Sequence, residues 1–179
     1  MADLTTIEHR LDNEAATCRA IIETPKGSRS KYTYDPELGI FELSGLLPAG
    51  MSFPLDFGFI PGTLAEDGDP LDVLVIGDEP SAVGCLVQIK IMGVIEAEQT
   101  EEGETCRNDR LVARVAKSIT YGHASHIGDL GKPFVQHLGQ FFVNYNDLKG
   151  KTFKVLDIAG PDQAMRLIER AAARAKTAS

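Results

Sequence analysis

The sequence predicts an α+β protein, a closed β-barrel flanked by helices. Two observations lead there. From Cys18 to Val115, short apolar and β-branched runs alternate with turns rich in Gly, Pro and Asp. From Lys132 the apolar period lengthens to three and four residues, the spacing of an amphipathic helix. Many short strands followed by two late helices suit a sheet closed on itself with helices packed against it. At 179 residues the chain is expected to form a single domain over 1–179.

The elements follow in order. Residues 1–17 read as a short, polar helical lead-in. Cys18 to Glu23 reads as a strand, and Lys31 to Tyr34 as a second. The turn between them carries Lys26 and Arg29 as solvated cations. Asp35 to Gly39 is a turn, Ile40 to Leu43 a strand and Leu46 to Gly50 a loop. Ser52 to Ile60 is extended, with Pro54 limiting it to an edge or a bulge because Pro cannot donate to a ladder. Leu71 to Ile76 is a buried strand. Asp78 to Ser81 is a loop. Gly84 to Glu98 is the longest strand, with Gly93 as a bulge or bend. Gln99 to Asn108 is an acidic loop, and Leu111 to Val115 a strand.

Phe134, Val135, Leu138, Phe141, Phe142, Tyr145 and Leu148 form one face of the first helix. Lys149-Gly150-Lys151 ends it with a glycine and two cations. Phe153 to Ile158 is a strand, and Pro161 opens a last helix with Met165, Leu167, Ile168 and Ala171 as its apolar surface.

Hydrophobic content of 43% and charged content of 25% are those of a globular protein. A net charge of −8 argues against nucleic acid or an anionic membrane as partner. The polar, acidic N-terminus is unlike a signal peptide, and no apolar run reaches transmembrane length. Cys18, Cys85 and Cys106 are far apart and match no metal motif. They are expected as reduced, buried or half-buried thiols of a cytoplasmic protein.

The chemistry concentrates in Glu66-Asp67-Gly68-Asp69-Pro70-Leu71-Asp72, three aspartates at the mouth of the Leu71–Ile76 strand. On a straight strand Asp69 and Asp72 would point to opposite faces. A bend at Gly68-Pro70 would let all three converge. Between Lys31 and Lys90 there is no Lys or Arg, against ten acidic residues. Converging carboxylates repel one another unless they stay in water or cations neutralise them. Oxygen donors without Cys or His favour hard ions, Mg²⁺ first, then Mn²⁺ or Ca²⁺. The plain alternative is an acidic surface turn that caps a strand.

The order D-G-D-P-L-D followed by V-L-V resembles the signature of the family I soluble inorganic pyrophosphatases. The preceding Phe57-Gly58-Phe59-Ile60-Pro61-Gly62-Thr63-Leu64-Ala65-Glu66 is similar to that family too, and the resemblance runs from about Ile21 to Leu148. It implies an OB-like five-stranded closed β-barrel flanked by two main helices, and Mg²⁺-dependent hydrolysis of inorganic diphosphate, with Mn²⁺ as a substitute metal. It also implies a homo-oligomer, a hexamer in the family's bacterial members. Asp67 and Asp72 would ligate metal, and Asp69 would be the general base on the metal-activated water. E-x-P-K-G-S-x-x-K-Y resembles the family segment whose leading Glu and final Lys line the active site, roles that would fall on Glu23, on the metal side, and Lys31, on the substrate, with Tyr145 beside them.

The chain departs from the family pattern elsewhere. The family's D-E-x-G-x-D-x-K falls on a segment about three residues longer, Thr100 to Arg110. Asn108 replaces an Asp ligand and Arg110 the phosphate-binding Lys, while Glu101 or Thr100 falls where the other Asp belongs. Asp109 faces the other way on a regular strand and substitutes only if a bulge intervenes. Thr33 replaces a Glu, Phe57 a Tyr and Asn146 a Lys, and no Arg stands at Ser44-Gly45. Losing two cations at roughly 1.5–3 kcal/mol each would cost about a hundredfold or more in rate or affinity, unless Arg29, Arg107 or Arg110 take over. Two other readings stay open: a hydrolase of another phosphoanhydride, and a catalytically weak homologue that binds phosphate or metal. His123 and His126, three apart, would share a face on a helix, but lack a third ligand and read as exposed polar residues.

Overall fold

The computed structural model describes residues 3–178. Its strands are β1 (Thr17–Thr24), β2 (Ser30–Asp35), β3 (Ile40–Leu46), β4 (Asp56–Ile60), β5 (Leu71–Ile76), β6 (Leu86–Glu101), β7 (Glu104–Arg107), β8 (Arg110–Val115) and β9 (Thr152–Ala159). The two α-helices are α1 (Lys132–Asp147) and α2 (Pro161–Ala178). β1 pairs with both β4 and β6. β4 pairs with β5, β5 with β8 and β8 with β6. The ring β1-β4-β5-β8-β6 is therefore closed, as the predicted five-stranded barrel requires. Every pair in it is antiparallel except β5–β8. β7 and β9 flank the far half of β6, and β2–β3 form a separate hairpin.

β6 can serve all these partners because it changes phase at Gly93. Val87, Ile89 and Ile91 point into one buried cluster with Cys18, Ile22, Val73, Val75 and Leu111. Strict alternation would bring position 93 next, yet Val94 joins that cluster, and Met92 and Ile95 lie in the other. The register shift between Ile91 and Gly93 is the bulge that permits this. A side chain at 93 would press on the Ala159 carbonyl and on Ile127. Gly58 is needed for a similar reason, since a Cβ there would strike the Ile21–Ile22 backbone.

The two helices cover opposite faces of these strands. α2 adds Ala164, Ile168 and Ala171 to the first cluster. α1 lays Val135, Leu138 and Phe142 on the second, beside Phe57, Leu74, Val112 and Phe153. β5 shows the alternation plainly, with Val73 and Val75 on one side and Leu74 and Ile76 on the other. Each fully buried large side chain contributes about 1.5–3 kcal/mol.

Several expectations are corrected. The lead-in is not α-helical: only Leu4–Thr6 form a 3-10 turn, and an isolated Asp12–Thr17 bridge follows. Pro54 does not make an edge, because β4 begins after it and runs between β1 and β5. The expected acidic loop at Gln99–Asn108 is mostly a hairpin. β6 continues to Glu101 and turns through Glu102 and Gly103, both at positive φ, into β7. The Ser44-Gly45 pair lies in β3. His123 and His126 are on no helix; His126 caps the 3-10 turn Ile127–Leu130 by accepting from the Gly128 N–H. Cys85 is exposed, whereas Cys18 is buried and Cys106 half-buried. No helix among the described residues is long and apolar enough to cross a membrane.

Gly93→Ala is expected to destabilise the fold by about 1–3 kcal/mol through overpacking at the bulge. Chemical denaturation followed by circular dichroism measures this; an unchanged midpoint would remove the steric role assigned to Gly93.

Candidate active site

The parallel pairing of β5 and β8 builds the centre of the site. Val73 lies opposite Leu111, so the residues just before them, Asp72 and Arg110, are brought side by side. An Arg110 guanidinium nitrogen lies 2.6 Å from the Asp72 carboxylate. The turn before β5 is tied at its base. The Ala65 N–H donates to the Asp69 carbonyl at 2.7 Å, and the Asp69 N–H donates to the Asp67 carboxylate at 3.1 Å. Gly68 supplies the left-handed conformation at φ +93° that this tight turn needs. Thr63 clamps the loop from below, donating to the Ile60 carbonyl and accepting from the Leu71 N–H.

Glu23 reaches the same cleft from β1. It is buried, and its carboxylate accepts the Tyr34 N–H at 2.8 Å. Burial pushes its pKa up to about 7, with Asp72 and Asp69 adding repulsion and the Tyr34 bond and Lys31 opposing it. Burial likewise raises Asp67, although the Asp69 N–H favours its charged form. Burial raises Asp72 too, against the attraction of Arg110 and Lys31. The result is one wall on which neighbouring carboxylates disfavour one another's charge.

Positive groups face that wall. Lys31 on β2 donates to the Thr33 hydroxyl and stands 5.3 Å from the Phe57 ring centre. Arg110 lies over the rings of Phe142 (4.9 Å) and Phe153 (5.5 Å) and donates to the Asn108 side chain. Arg110 Nε and the Tyr145 hydroxyl are buried and have no hydrogen-bond partner among the described residues. Burial raises the Tyr145 pKa, so the hydroxyl stays protonated and can donate. Two unpaired donors in a polar cleft fit an anionic ligand.

Glu23, Lys31, Asp67, Asp69, Asp72, Glu101, Asn108, Arg110 and Tyr145 all line this one cleft. Arg29 and Arg107 do not replace the missing cations. Arg29 donates to the Leu47 carbonyl, and Arg107 pairs with Asp109 and Glu96. Asp109 is turned away, accepting the Ala97 N–H and Arg107. Asn146 donates to the Phe142 carbonyl. Gly45 lies opposite Lys31 on β3, and a Cβ there would only touch the Lys31 Cβ at 4.0 Å.

Three cleft residues were not foreseen. Gln99 accepts the Asn108 amide at 2.9 Å. Lys149 lies 4.4 Å from the Tyr145 ring centre, and Lys151 pairs with Glu101 at 2.8 Å. Following the β6 alternation past Glu98 would have put Gln99 and Glu101 on one face.

Comparison with known proteins bears on this arrangement. A family model described as inorganic pyrophosphatase matches residues 20–176. The chain belongs to the inorganic pyrophosphatase family. The inorganic pyrophosphatase of Thermus thermophilus is 36% identical over 149 residues, 83% of each chain. That of Halalkalibacterium halodurans is 36% identical over 163 residues, 91% of this chain and 98% of its own. Among solved structures, the Thermus thermophilus inorganic pyrophosphatase superposes with a TM-score of 0.89 at 35% identity, covering 98% of this chain and 99% of its own. The one from Neisseria gonorrhoeae gives 0.87 at 30% identity, covering 97% and 99%. The family's OB-like barrel is thus the fold of this chain.

The donor chemistry of the acidic wall fits a hard divalent cation, since every donor there is a carboxylate oxygen and the charges raise one another's pKa. Among the described residues, no three acidic, His or Cys side chains close on a single point. Asp67, Asp72 and Glu23 are the side chains that would hold such an ion. The opposite side offers neutral amides at Asn108 and Gln99, and Glu101 is already paired with Lys151.

Glu23 sets a pH dependence. Its pKa of about 7 lies above the ordinary 4.5. Between those values the folded chain keeps a proton that the unfolded chain has released, so stability falls as pH rises through that window. In chelator, thermal melts of Glu23→Gln are expected to lose this fall relative to wild type; identical pH profiles would show that Glu23 is not the group responsible.

Proposed function

We propose that this chain hydrolyses inorganic diphosphate to two phosphates in the cleft between the Asp67–Asp72 loop and Arg110. The observation that supports this best is the opposition of an acidic wall to unpaired donors, Arg110 Nε and the Tyr145 hydroxyl, in a member of the inorganic pyrophosphatase family. Hydrolysis of a phosphoanhydride needs an activated water, a held phosphate and a stabilised leaving group. Mg²⁺, with Mn²⁺ as a substitute, supplies positive charge to phosphate oxygens and lowers the pKa of a water when bound.

The chain's own residues do the rest. Asp67, Asp72 and Glu23 would hold the cation, with the Asn108 amide as a lesser donor, while Glu101 is taken up by Lys151. Asp69, exposed on the turn and fixed through its own backbone, takes the proton from the attacking water. Arg110, Tyr145 and Lys31 orient the phosphate oxygens, and their charge and donors stabilise the phosphate that leaves. Arg110 is well placed for this, since Asp72 and Asn108 both hold one terminal nitrogen, Nη1, and Nε is left without a protein partner.

Phosphate release from diphosphate by wild type in Mg²⁺ is expected to vanish in EDTA and to fall at least about a hundredfold in Asp69→Asn, with the fold retained. Undiminished turnover in that variant would place the base elsewhere. Thr33, Phe57 and Asn146, which line this cleft where the family pattern has Glu, Tyr and Lys, make another phosphoanhydride the second reading. A substrate panel decides it by kcat/KM, with diphosphate expected to lead.

The protein acts in the cytoplasm as a homo-oligomer, a hexamer by analogy with the bacterial family. Leu38, Ile40, Leu43 and Leu46 on the β2–β3 hairpin and Leu156 and Ile158 on β9 are exposed, which supports association of copies. Light scattering on the eluted protein is expected to give several times the 19.4 kDa chain mass; a monomer would rule this out.

A further inference from the structure

Two cations of the cleft come from one short turn, Leu148–Lys151, between α1 and β9. The turn is fixed by its backbone. The N–H groups of Lys149 and Lys151 both donate to the Asn146 carbonyl, at 2.9 and 3.0 Å, and Gly150 takes the left-handed conformation between them. Lys149 is thereby set over the Tyr145 ring and Lys151 against Glu101 at the end of β6. Burial, then the charge of Lys151, lowers the Lys149 pKa, so the two ammonium groups oppose each other in the absence of an anion. The Tyr145 hydroxyl and Arg110 Nε, each on a residue more than nine-tenths buried, still lack an acceptor. Two lysines and two unpaired donors lining one cleft call for a ligand with several acceptor oxygens and more than one negative charge. A phosphate group has both.

We propose that Lys149 and Lys151, with the Tyr145 hydroxyl and Arg110 Nε, form a phosphate subsite of this cleft, and that Glu101 is the counter-ion that yields Lys151 to the arriving phosphate. The inference rests on the diphosphate reading of the cleft and deepens it. Lys149 and Lys151 take the place of the cations missing at Gly45 and Asn146. Glu101 acts through Lys151 and is a positioning residue, not a metal ligand.

The test combines kinetics with binding. Lys149→Met and Lys151→Met are each expected to raise KM for diphosphate about tenfold, with kcat changed much less, as for the loss of one charge-assisted contact. Lys151→Arg is expected to retain the wild-type KM. Glu101→Gln is expected to lower KM, because it frees Lys151; a higher Mg²⁺ requirement with no fall in KM would instead make Glu101 a metal ligand and overturn its counter-ion role. Calorimetric titration with methylene diphosphonate and with orthophosphate needs no turnover, and shows whether the subsite takes the intact substrate or the free product. The double Met variant, folded by circular dichroism, is expected to lose about a hundredfold in affinity for the diphosphonate. Turnover with unchanged KM in both Met variants would overturn the subsite and leave the diphosphatase reading intact. Lysine-dependent binding by a wild type that hydrolyses no diphosphate would do the reverse.

Discussion

Much of the site depends on one pairing, the parallel contact of β5 with β8. An antiparallel neighbour would have put the start of one strand beside the end of the other. Here both strands start at the same end, so an acid and a base on their first turns of pleat become neighbours, and the segments leading into them converge. The aspartate turn arrives on one side and Asn108 on the other. The barrel's closure through β6, with its change of phase at Gly93, holds that pairing in place.

Around the Asp72–Arg110 pair the cleft separates charge by wall. One wall carries carboxylates that disfavour one another's ionisation, and the other carries cations stacked on aromatic rings. Rings beneath Lys31, Arg110 and Lys149 stabilise positive charge while excluding water from their undersides. Such a cleft suits a multiply charged anion accompanied by a divalent cation, each meeting the wall of opposite sign. A net charge of −8 is no obstacle, because the positive side chains that matter are gathered where the anion must lie.

How far the sequence could be read varied with the range of the determining contacts. β5 was legible to the residue, since its buried run is bounded by Pro70 and Gly77. The aspartate cluster was equally plain, being contiguous in the chain. β7 was not, because its turn is Glu-Gly, without the Asn or Asp that usually marks a two-residue hairpin, and its residues are largely exposed. Lys149 and Lys151 read locally as the end of a helix, and only the packing of α1 against β9 turns that end into the cleft. Gln99 was hidden by the same missed hairpin. The separation of Arg29 and Arg107 from the site is also set by acceptors distant in the chain, the Leu47 carbonyl for Arg29 and Glu96 for Arg107.

The β2–β3 hairpin has its own two-stranded ladder, and side chains of β1 fasten it to the barrel. Thr24 exchanges hydrogen bonds with the backbone of Tyr32, and Glu23 accepts from the N–H of Tyr34. Lys31 hangs beside these two moorings. One of these moorings is a side chain of the acidic wall itself, so the strand that brings Lys31 to the cleft is fastened by a carboxylate of the site it serves.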